Sequence, residues 1–337
     1  MANLHPYNAV RWARIGKPGT PEWLEHRQRV IGGSVSAAVC NVSKWSDQYE
    51  QYCSYRGLLD DGFAGNAYTR FGNQYERIAA ADYLHEYGIS GCAPKEHMAL
   101  HPTLDYVGGN PDLLLYPKRD DLPIFPYEYP LDIQWTHGCD VKTTKSSGDP
   151  AWGEPDSQKC PIEYWMQCQH YMLVFGCSEW HLWVFFRAEC EYRRLIVPRS
   201  DKVIEELMLP TYADFWRRVQ DGDAPPKAYD KANSLKLIER MAPDAVEGKK
   251  IALPDEAGEL FRAYAAAAAT HDASKKAMDS AKAQLLDLLG DAQRGEVKGA
   301  GHLVRSFVPG AEVSYTRKDA WQTRVYPAKN QGEQHGR

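Results

Sequence analysis

Several familiar signatures are missing from this sequence. No two of its eight cysteines (positions 40, 53, 92, 139, 160, 168, 177 and 190) form a Cys-x-x-Cys pair. That excludes a zinc ribbon, a thioredoxin-like motif and an iron–sulfur cluster, and leaves the cysteines as small buried hydrophobes in a reducing compartment. No apolar run approaches a bilayer span; the longest, such as residues 172–175 and 265–269, are far too short, so no membrane role is expected. The first residues, among them His5, Pro6 and Asn8, lack the apolar stretch of a signal peptide, and a cytoplasmic location is the expectation. Positive charge is not in excess either. Lys and Arg total 40 against 45 Asp and Glu, a net charge of −5, so any surface for nucleic acid must be local. What is present is ordinary globular composition: 337 residues, 43% hydrophobic and 25% charged. Such a chain can bury the core of one large domain with an appendage, or of two domains.

The pattern divides the chain at Asp221-Gly222-Asp223-Ala224-Pro225-Pro226, a linker or exposed turn. Residues 1–225 hold the dense apolar and aromatic patterning, and residues 226–337 form an Ala-, Lys- and Asp-rich appendage. In the first part the spacing predicts helices over residues 21–30, 34–39, 74–87 and 163–175, with Ser34 capping the second. Strands are predicted over residues 113–116, 139–143 and 179–187, and a Pro- and Asp-rich insertion, residues 117–138, carries a further strand near 131–135. Helices interleaved with strands in this order imply an α/β (α+β) fold with a mixed central sheet flanked by helices. In the appendage, residues 255–289 read as one long helix stopped by Gly290. Residues 302–308 and 312–316 follow as a hairpin turning at Pro309-Gly310.

Chemistry concentrates in four pieces: Glu76 on the third helix, Asp112 ahead of a strand, Asp140-Val141-Lys142 within a strand, and Tyr164 with Gln167 on the next helix. Side chains two apart on a strand share a face, so Asp140 and Lys142 point together, while Val141 turns to the core and leaves its carbonyl as a further hard ligand. If the two strands pair, Asp112 meets Asp140. Two carboxylates at that range repel unless a cation lies between them, and oxygen ligands favour Mg²⁺, with Mn²⁺ as substitute. Glu76 can complete the ligand shell directly or through water. Each piece alone has a plainer reading: Asp-x-Lys as a solvated strand face, Glu76 as a helix surface residue, Asp112 as the start of a turn. Asp105 and Asp132 are rival ligands. Separately, Arg27 on the first helix and Ser34 beside the second suit a phosphate, through a guanidinium fork and free helix N–H groups. Arg11, Arg14, Lys17, Arg29 and Lys145 are candidates for contacts with a nucleic-acid backbone. Trp152 fits either base stacking or packing.

The order of these pieces and the sequence around each resemble the lambda-exonuclease-like (YqaJ-type) phage recombination nucleases of the PD-(D/E)xK superfamily. The matching stretches are WLEHRQRVIGGSVSAAV (23–39), GNQYE (72–76), NPDLL (110–114), DVKT (140–143) and PIEYWMQCQHYMLVFG (161–176). They span roughly the first two-thirds of the chain, and Asp140 stands where many members carry Glu.

The resemblance implies a restriction-endonuclease-like core in which Asp112, Asp140, the Val141 carbonyl and Glu76 serve a metal site and Lys142 serves the attacking water. Gln167 and Tyr164 would line the site, and Arg27, Ser34 and Asn110 would receive a 5′-phosphate. It also implies a Mg²⁺-dependent deoxyribonuclease working 5′→3′ on linear double-stranded DNA and leaving a 3′ strand for a single-strand annealing protein. The expected setting is a phage or prophage protein in the host cytoplasm, assembled as a homo-oligomeric ring, a trimer by resemblance. The long helix and hairpin are then expected to mediate self-association, to dock the annealing partner, or to act as a passive flank. Two alternatives stand beside this reading: a PD-(D/E)xK endonuclease, and a DNA-binding recombination adaptor.

Overall fold

A computed structural model describes residues 10–17, 19–59, 67–94, 96–118, 135–242, 248–298 and 301–306, and no side chains at 67–69 or 73. The chain falls into two compact units, residues 1–242 and 243–337. The first opens with β1 (Arg11–Arg14), α1 (Pro21–Arg27), a 3₁₀ turn (Gly33–Val35) continuing into α2 (Ser36–Val39), α3 (Gln48–Tyr55) and α4 (Ala67–Glu86). There follow β2 (Ser90–Cys92), β3 (His97–Leu100), β4 (Gly108–Gly109), β5 (Leu113–Tyr116), β6 (His137–Thr144), α5 (Ile162–Phe175), β7 (Glu179–Phe186) and β8 (Glu191–Pro198). The unit ends with α6 (Asp201–Val203), a π-helical turn (Ile204–Met208) leading into α7 (Leu209–Asp221), and α8 (Ser234–Met241).

The mixed central sheet expected from the sequence is present, with helices on both faces. Its five strands run in the order β2-β5-β6-β7-β8, antiparallel except for the parallel pair β6 and β7. A smaller antiparallel sheet joins β1, β3 and β4.

Strand alternation sorts the side chains into two layers. Leu113, Leu115, Cys139, Val141 and Trp183 face α4 and pack with its Ala79, Ala80, Tyr83 and Leu84. Leu114, Trp180, Leu182, Val184 and Phe186 face the other way, into the core built with Met172, Val174 and Phe175 of α5. Asp140 and Lys142 occupy this second face by the same alternation, so the chemistry lies on the α5 side of the sheet.

Several local expectations are corrected. Gly32 is the N-cap of the 3₁₀ turn, without a side-chain bond, and Ser34 lies inside that turn rather than capping a helix. There Ser36 Oγ donates to the Gly33 carbonyl and closes the turn. Helix α4 starts at Ala67, ahead of the expected residue 74. Strand β8 and the α6–α7 segment, both unforeseen, lie just beyond β7. Helix α8 belongs to the first unit, with Leu237 in its core, so that unit extends past the Pro225-Pro226 stretch. The strand expected near residues 131–135 falls mostly outside the described residues.

The second unit contains α9 (Ala257–Leu289), β9 (Arg294–Val297) and β10 (Gly301–Val304). Gly290, at φ 58°, ends α9 as expected. The strand expected from residue 302 is β10, but it pairs antiparallel with β9, which precedes it. The proposed turn at Pro309-Gly310 and the run 312–316 lie outside the described residues.

One glycine on β6 is dictated by packing. A Cβ at Gly138 would lie 2.1 Å from the Trp180 ring. That ring cannot retreat, since it is fully buried and stacked on Tyr171 at 4.9 Å and against Phe175 at 5.6 Å. Gly138→Ala is therefore expected to destabilise the fold by roughly 1–3 kcal/mol, the range for overpacking a closed core, measured as a lower midpoint in urea unfolding.

Candidate active site

Strand β5 pairs with β6 so that Leu113 lies opposite Cys139, and one step further in this antiparallel register sets Asp112 opposite Asp140. The convergence is held by a hydrogen bond in which the Val141 N–H donates to Asp112 Oδ2 at 2.9 Å. Asp112 is half-buried, while Asp140 is 1% exposed.

Three donors reach the buried carboxylate. Trp180 Nε1–H donates to Asp140 Oδ2 at 2.7 Å, Gln167 Nε2 reaches Oδ1 at 3.5 Å, and the Lys142 ammonium lies 3.6 Å from Oδ1. Burial raises the pKa of Asp140; Lys142 pulls it back, Asp112 adds to the rise, and the Trp180 N–H opposes it. For Lys142 burial alone would favour the neutral amine, but the Asp140 and Asp112 carboxylates outweigh it and the pKa is raised. The ammonium therefore stays charged, and it lies 5.3 Å from the centre of the Tyr164 ring.

A cavity of about 320 Å³ opens over this cluster. It is bordered by Asp112, Asp140, Lys142 and Gln167, and equally by Arg27, Ser34 and Asn110. The two groups of candidates, acidic and phosphate-binding, thus share one space. Arg27 Nη2 donates to Ser34 Oγ at 3.2 Å, and its guanidinium lies 4.5 Å from the centre of the Trp23 ring. Asn110 donates its side-chain amide to the His97 carbonyl, and its own carbonyl accepts from the Tyr171 hydroxyl at 2.9 Å. Tyr171 reaches that point because Gly33 and Gly109 have no Cβ; one at either position would come within 3 Å of its ring.

Other candidates lie elsewhere. Glu76 is half-buried on α4 and does not border the cavity. Lys145 is exposed beyond β6, where its carbonyl accepts from the Ala188 N–H. The rival Asp105 is exposed and paired with Arg11 at 2.5 Å, and Asp132 lies outside the described residues. Arg14 and Arg29 are likewise paired, with Glu96 and Glu25. Trp152 is buried and stacked on Tyr164 at 5.5 Å, so it packs behind the ring that faces Lys142. His170 is a structural link, with Nδ1 3.0 Å from the Tyr212 hydroxyl and Nε2 2.9 Å from the Gly108 carbonyl.

Sequence reasoning missed Trp180 and Tyr171 as parts of the site. Trp180 begins an apolar strand and looks like core in any pattern; only the β6–β7 register brings its indole N–H to Asp140.

The donor set fits a hard divalent cation. Two carboxylates converge where one of them is cut off from water, and a single ammonium does not fully offset them. Asp112 and Asp140 are the residues that would hold it.

Residues 22–178 match the sequence profile of the YqaJ-like viral recombinase domain. A protein of Bacillus subtilis (strain 168), "Uncharacterized protein YqaJ", is 22% identical over 234 residues, a match spanning 68% of this chain and 66% of that one. Among solved structures, the alkaline exonuclease LHK-Exo of Laribacter hongkongensis aligns over 60% of this chain and 94% of its own, with 19% identity and a TM-score of 0.43. A phage related exonuclease from Haemophilus somnus 129PT aligns over 57% and 96%, with 12% identity and a TM-score of 0.36.

Because Trp180 orients Asp140 through a single N–H, Trp180→Phe keeps the ring packing and removes that bond. Its Mn²⁺ affinity, read by electron paramagnetic resonance, is expected to fall about 10- to 100-fold, the usual effect of losing a partner behind a ligand.

Proposed function

We propose that the chain, whose residues 22–178 match the profile of the YqaJ-like viral recombinase domain, is a metal-dependent deoxyribonuclease that digests one strand of linear double-stranded DNA from a 5′ end. The observation that carries this reading is the shared cavity, in which Asp112, just ahead of β5, and Asp140 of β6 lie together with Arg27, Ser34 and Asn110. A nuclease that cuts anywhere along a duplex needs only the acids and the lysine. A second anion site beside them suits an enzyme that grips a terminal phosphate and cuts close to it.

The residues divide the work. Arg27, held between the Trp23 ring and Ser34, offers a pre-aligned guanidinium fork to a 5′-phosphate. Asp112 and Asp140 would hold Mg²⁺, or Mn²⁺ in its place, with the Val141 carbonyl as a further ligand, while Glu76, on α4 and away from the cavity, is left out of the ligand shell. When bound, the metal supplies the Lewis acidity that offsets phosphate charge and makes water a competent nucleophile near neutral pH. Lys142, kept charged by its two carboxylate neighbours, positions that water and stabilises the negative charge of the transition state. Tyr164 steers the ammonium, Gln167 braces Asp140, and Lys145 adds a contact to the DNA backbone. The product is a 3′ single strand suited to an annealing protein in phage recombination, in the host cytoplasm. Among the described residues, no helix is long and apolar enough to cross a membrane.

A net charge of −5 is easier to reconcile with DNA binding if several subunits enclose the duplex and basic groups need line only the channel. We assign self-association to the unit of residues 243–337, where Leu260, Tyr264, Met278, Leu285 and Leu288 of α9 are exposed. Substituting Met278→Glu together with Leu285→Glu is expected to shift the protein to monomers in analytical ultracentrifugation. A wild-type protein that is itself monomeric removes this assignment.

The function is tested with end-labelled linear duplex and Mg²⁺. A 5′-phosphorylated end is expected to be digested faster than a 5′-hydroxyl end, and a covalently closed circle is expected to resist. Asp112→Ala or Lys142→Ala should lower the rate by about 10²-fold or more, as when a group that stabilises transition-state charge is lost. Arg27→Ala should abolish the preference for the phosphorylated end, at a cost of about 1.5–3 kcal/mol, the worth of a charge-assisted hydrogen bond. Cleavage of the closed circle would instead identify an endonuclease, and DNA binding without any digestion an adaptor.

A further inference from the structure

On the opposite face of the sheet from the acids, His137 opens β6 while Glu179 and His181 stand at the start of the parallel neighbour β7. The register sets Cys139 beside His181, and two residues back it brings His137 beside Glu179. All three side chains share the face of Cys139 and Val141, and none borders the acidic cavity. One ligand atom from each residue can be chosen so that all lie within 4.8 Å of one another. Within the cluster His181 Nε2 is 3.2 Å from Glu179 Oε1, and the two imidazole rings are 4.2 Å apart.

Hydrogen bonding behind the rings selects which nitrogen is offered. Thr136 Oγ donates its one proton to the Leu115 carbonyl at 3.2 Å, so toward His137 Nδ1, 3.0 Å away, the hydroxyl can only accept. The His137 proton therefore sits on Nδ1, and Nε2 carries a bare lone pair. That Nε2 is buried and has no hydrogen-bond partner, a condition folded proteins seldom leave uncompensated. His181 is wired differently: the Glu179 carboxylate can only accept, so His181 Nε2–H donates to it, and Nδ1, 2.6 Å from the Tyr83 hydroxyl of α4, accepts the phenol proton. A cation beside Glu179 would take the place of the His181 Nε2 proton, with that ring's proton moving to Nδ1 to face the Tyr83 oxygen, and would meet the bare Nε2 of His137; histidines held by a hydrogen bond at Nδ1 are the usual arrangement on a metal. Burial, with Arg194 adding to it, lowers the pKa of His137 to about 4, and burial with His137 and then Arg194 lowers that of His181 to about 3, so both rings are neutral at pH 7. Arg194 itself is engaged by Asp156 at 2.5 Å.

We propose that His137, Glu179 and His181 form a zinc site, separate from the acidic cavity, that clasps the starts of β6 and β7 and, through Tyr83, helix α4. Two imidazole nitrogens and one carboxylate match the ligand preference of Zn²⁺ rather than that of Mg²⁺. The Glu179 side chain is 46% exposed, which leaves a fourth position open to water. The site's role is structural: it pins the end of the strand that carries Asp140 and Lys142 farther along. Nothing in this inference depends on the nuclease reading.

The test uses the full chain carrying Asp112→Asn and Asp140→Asn, so that the acidic cavity no longer competes for metal. The protein is titrated with Co²⁺ followed by visible absorption, then with Zn²⁺, and zinc retained after gel filtration is counted by mass spectrometry. One zinc per chain, displacement of cobalt by zinc and a higher thermal midpoint with zinc are expected. In the same background, Glu179→Gln, at a half-exposed position that does not threaten folding, and His137→Gln should each weaken binding at least tenfold, with circular dichroism unchanged. Absence of zinc binding at micromolar metal, or equal binding by both variants, overturns the proposal.

Discussion

A carboxylate held inside the protein governs the rest of this architecture. Asp140 is removed from water on the α5 face of the sheet, and an ionised group in that position is tolerated only if donors replace its hydration. The replacement comes from three elements: Lys142 of the same strand, Gln167 of α5 and Trp180 of β7. Each has its own requirement. Trp180 needs a bare backbone at Gly138, Gln167 needs α5 packed flat on the sheet, and Lys142 needs both carboxylates nearby to stay protonated in a dry setting. The parallel pairing of β6 and β7 places the indole beside the strand that carries the acid.

The two faces of the sheet are divided by role. Odd-numbered residues of β6 face α4 and are apolar at Cys139 and Val141; even-numbered residues face α5 and carry the charge. A single alternating strand thereby separates packing from chemistry, and a one-residue slip in its register would exchange them. The Val141 N–H bond to Asp112 opposes that slip, since it ties the carboxylate of one strand's end to the backbone of the next.

Much of this was legible in the sequence because it rests on short-range patterns. The strand Leu113–Tyr116 was read to the residue, and α5 and α9 to within one or two. Gly176 in the left-handed region, at φ 70°, marks the end of α5 as glycine placement suggests. The pairing of Asp112 with Asp140 followed from alternation plus one assumption, that the strands are neighbours. What could not be read were contacts set by register and long-range packing: Trp180 and Tyr171 at the site, the β8 edge, and Ser34 bonded to Arg27 instead of to a helix end. Glycines 33 and 109 had no visible purpose until Tyr171 was seen filling the space beside them. The His137, Glu179 and His181 cluster was hidden for the same reason, since its members are far apart in sequence and meet only through the β6–β7 register.

The cavity also has a history in time. Its walls come from residues 24–35, 51–55, 98, 109–112, 140–142 and 167–171, and the Trp180 that steadies its central acid comes later still. A ribosome adding about 5–20 residues per second needs several seconds to travel from Arg27 to α5, and throughout that interval the guanidinium and the acids have no common space. A half-made chain therefore carries the chemical groups without the pocket, which closes only once α5 and β7 have been added.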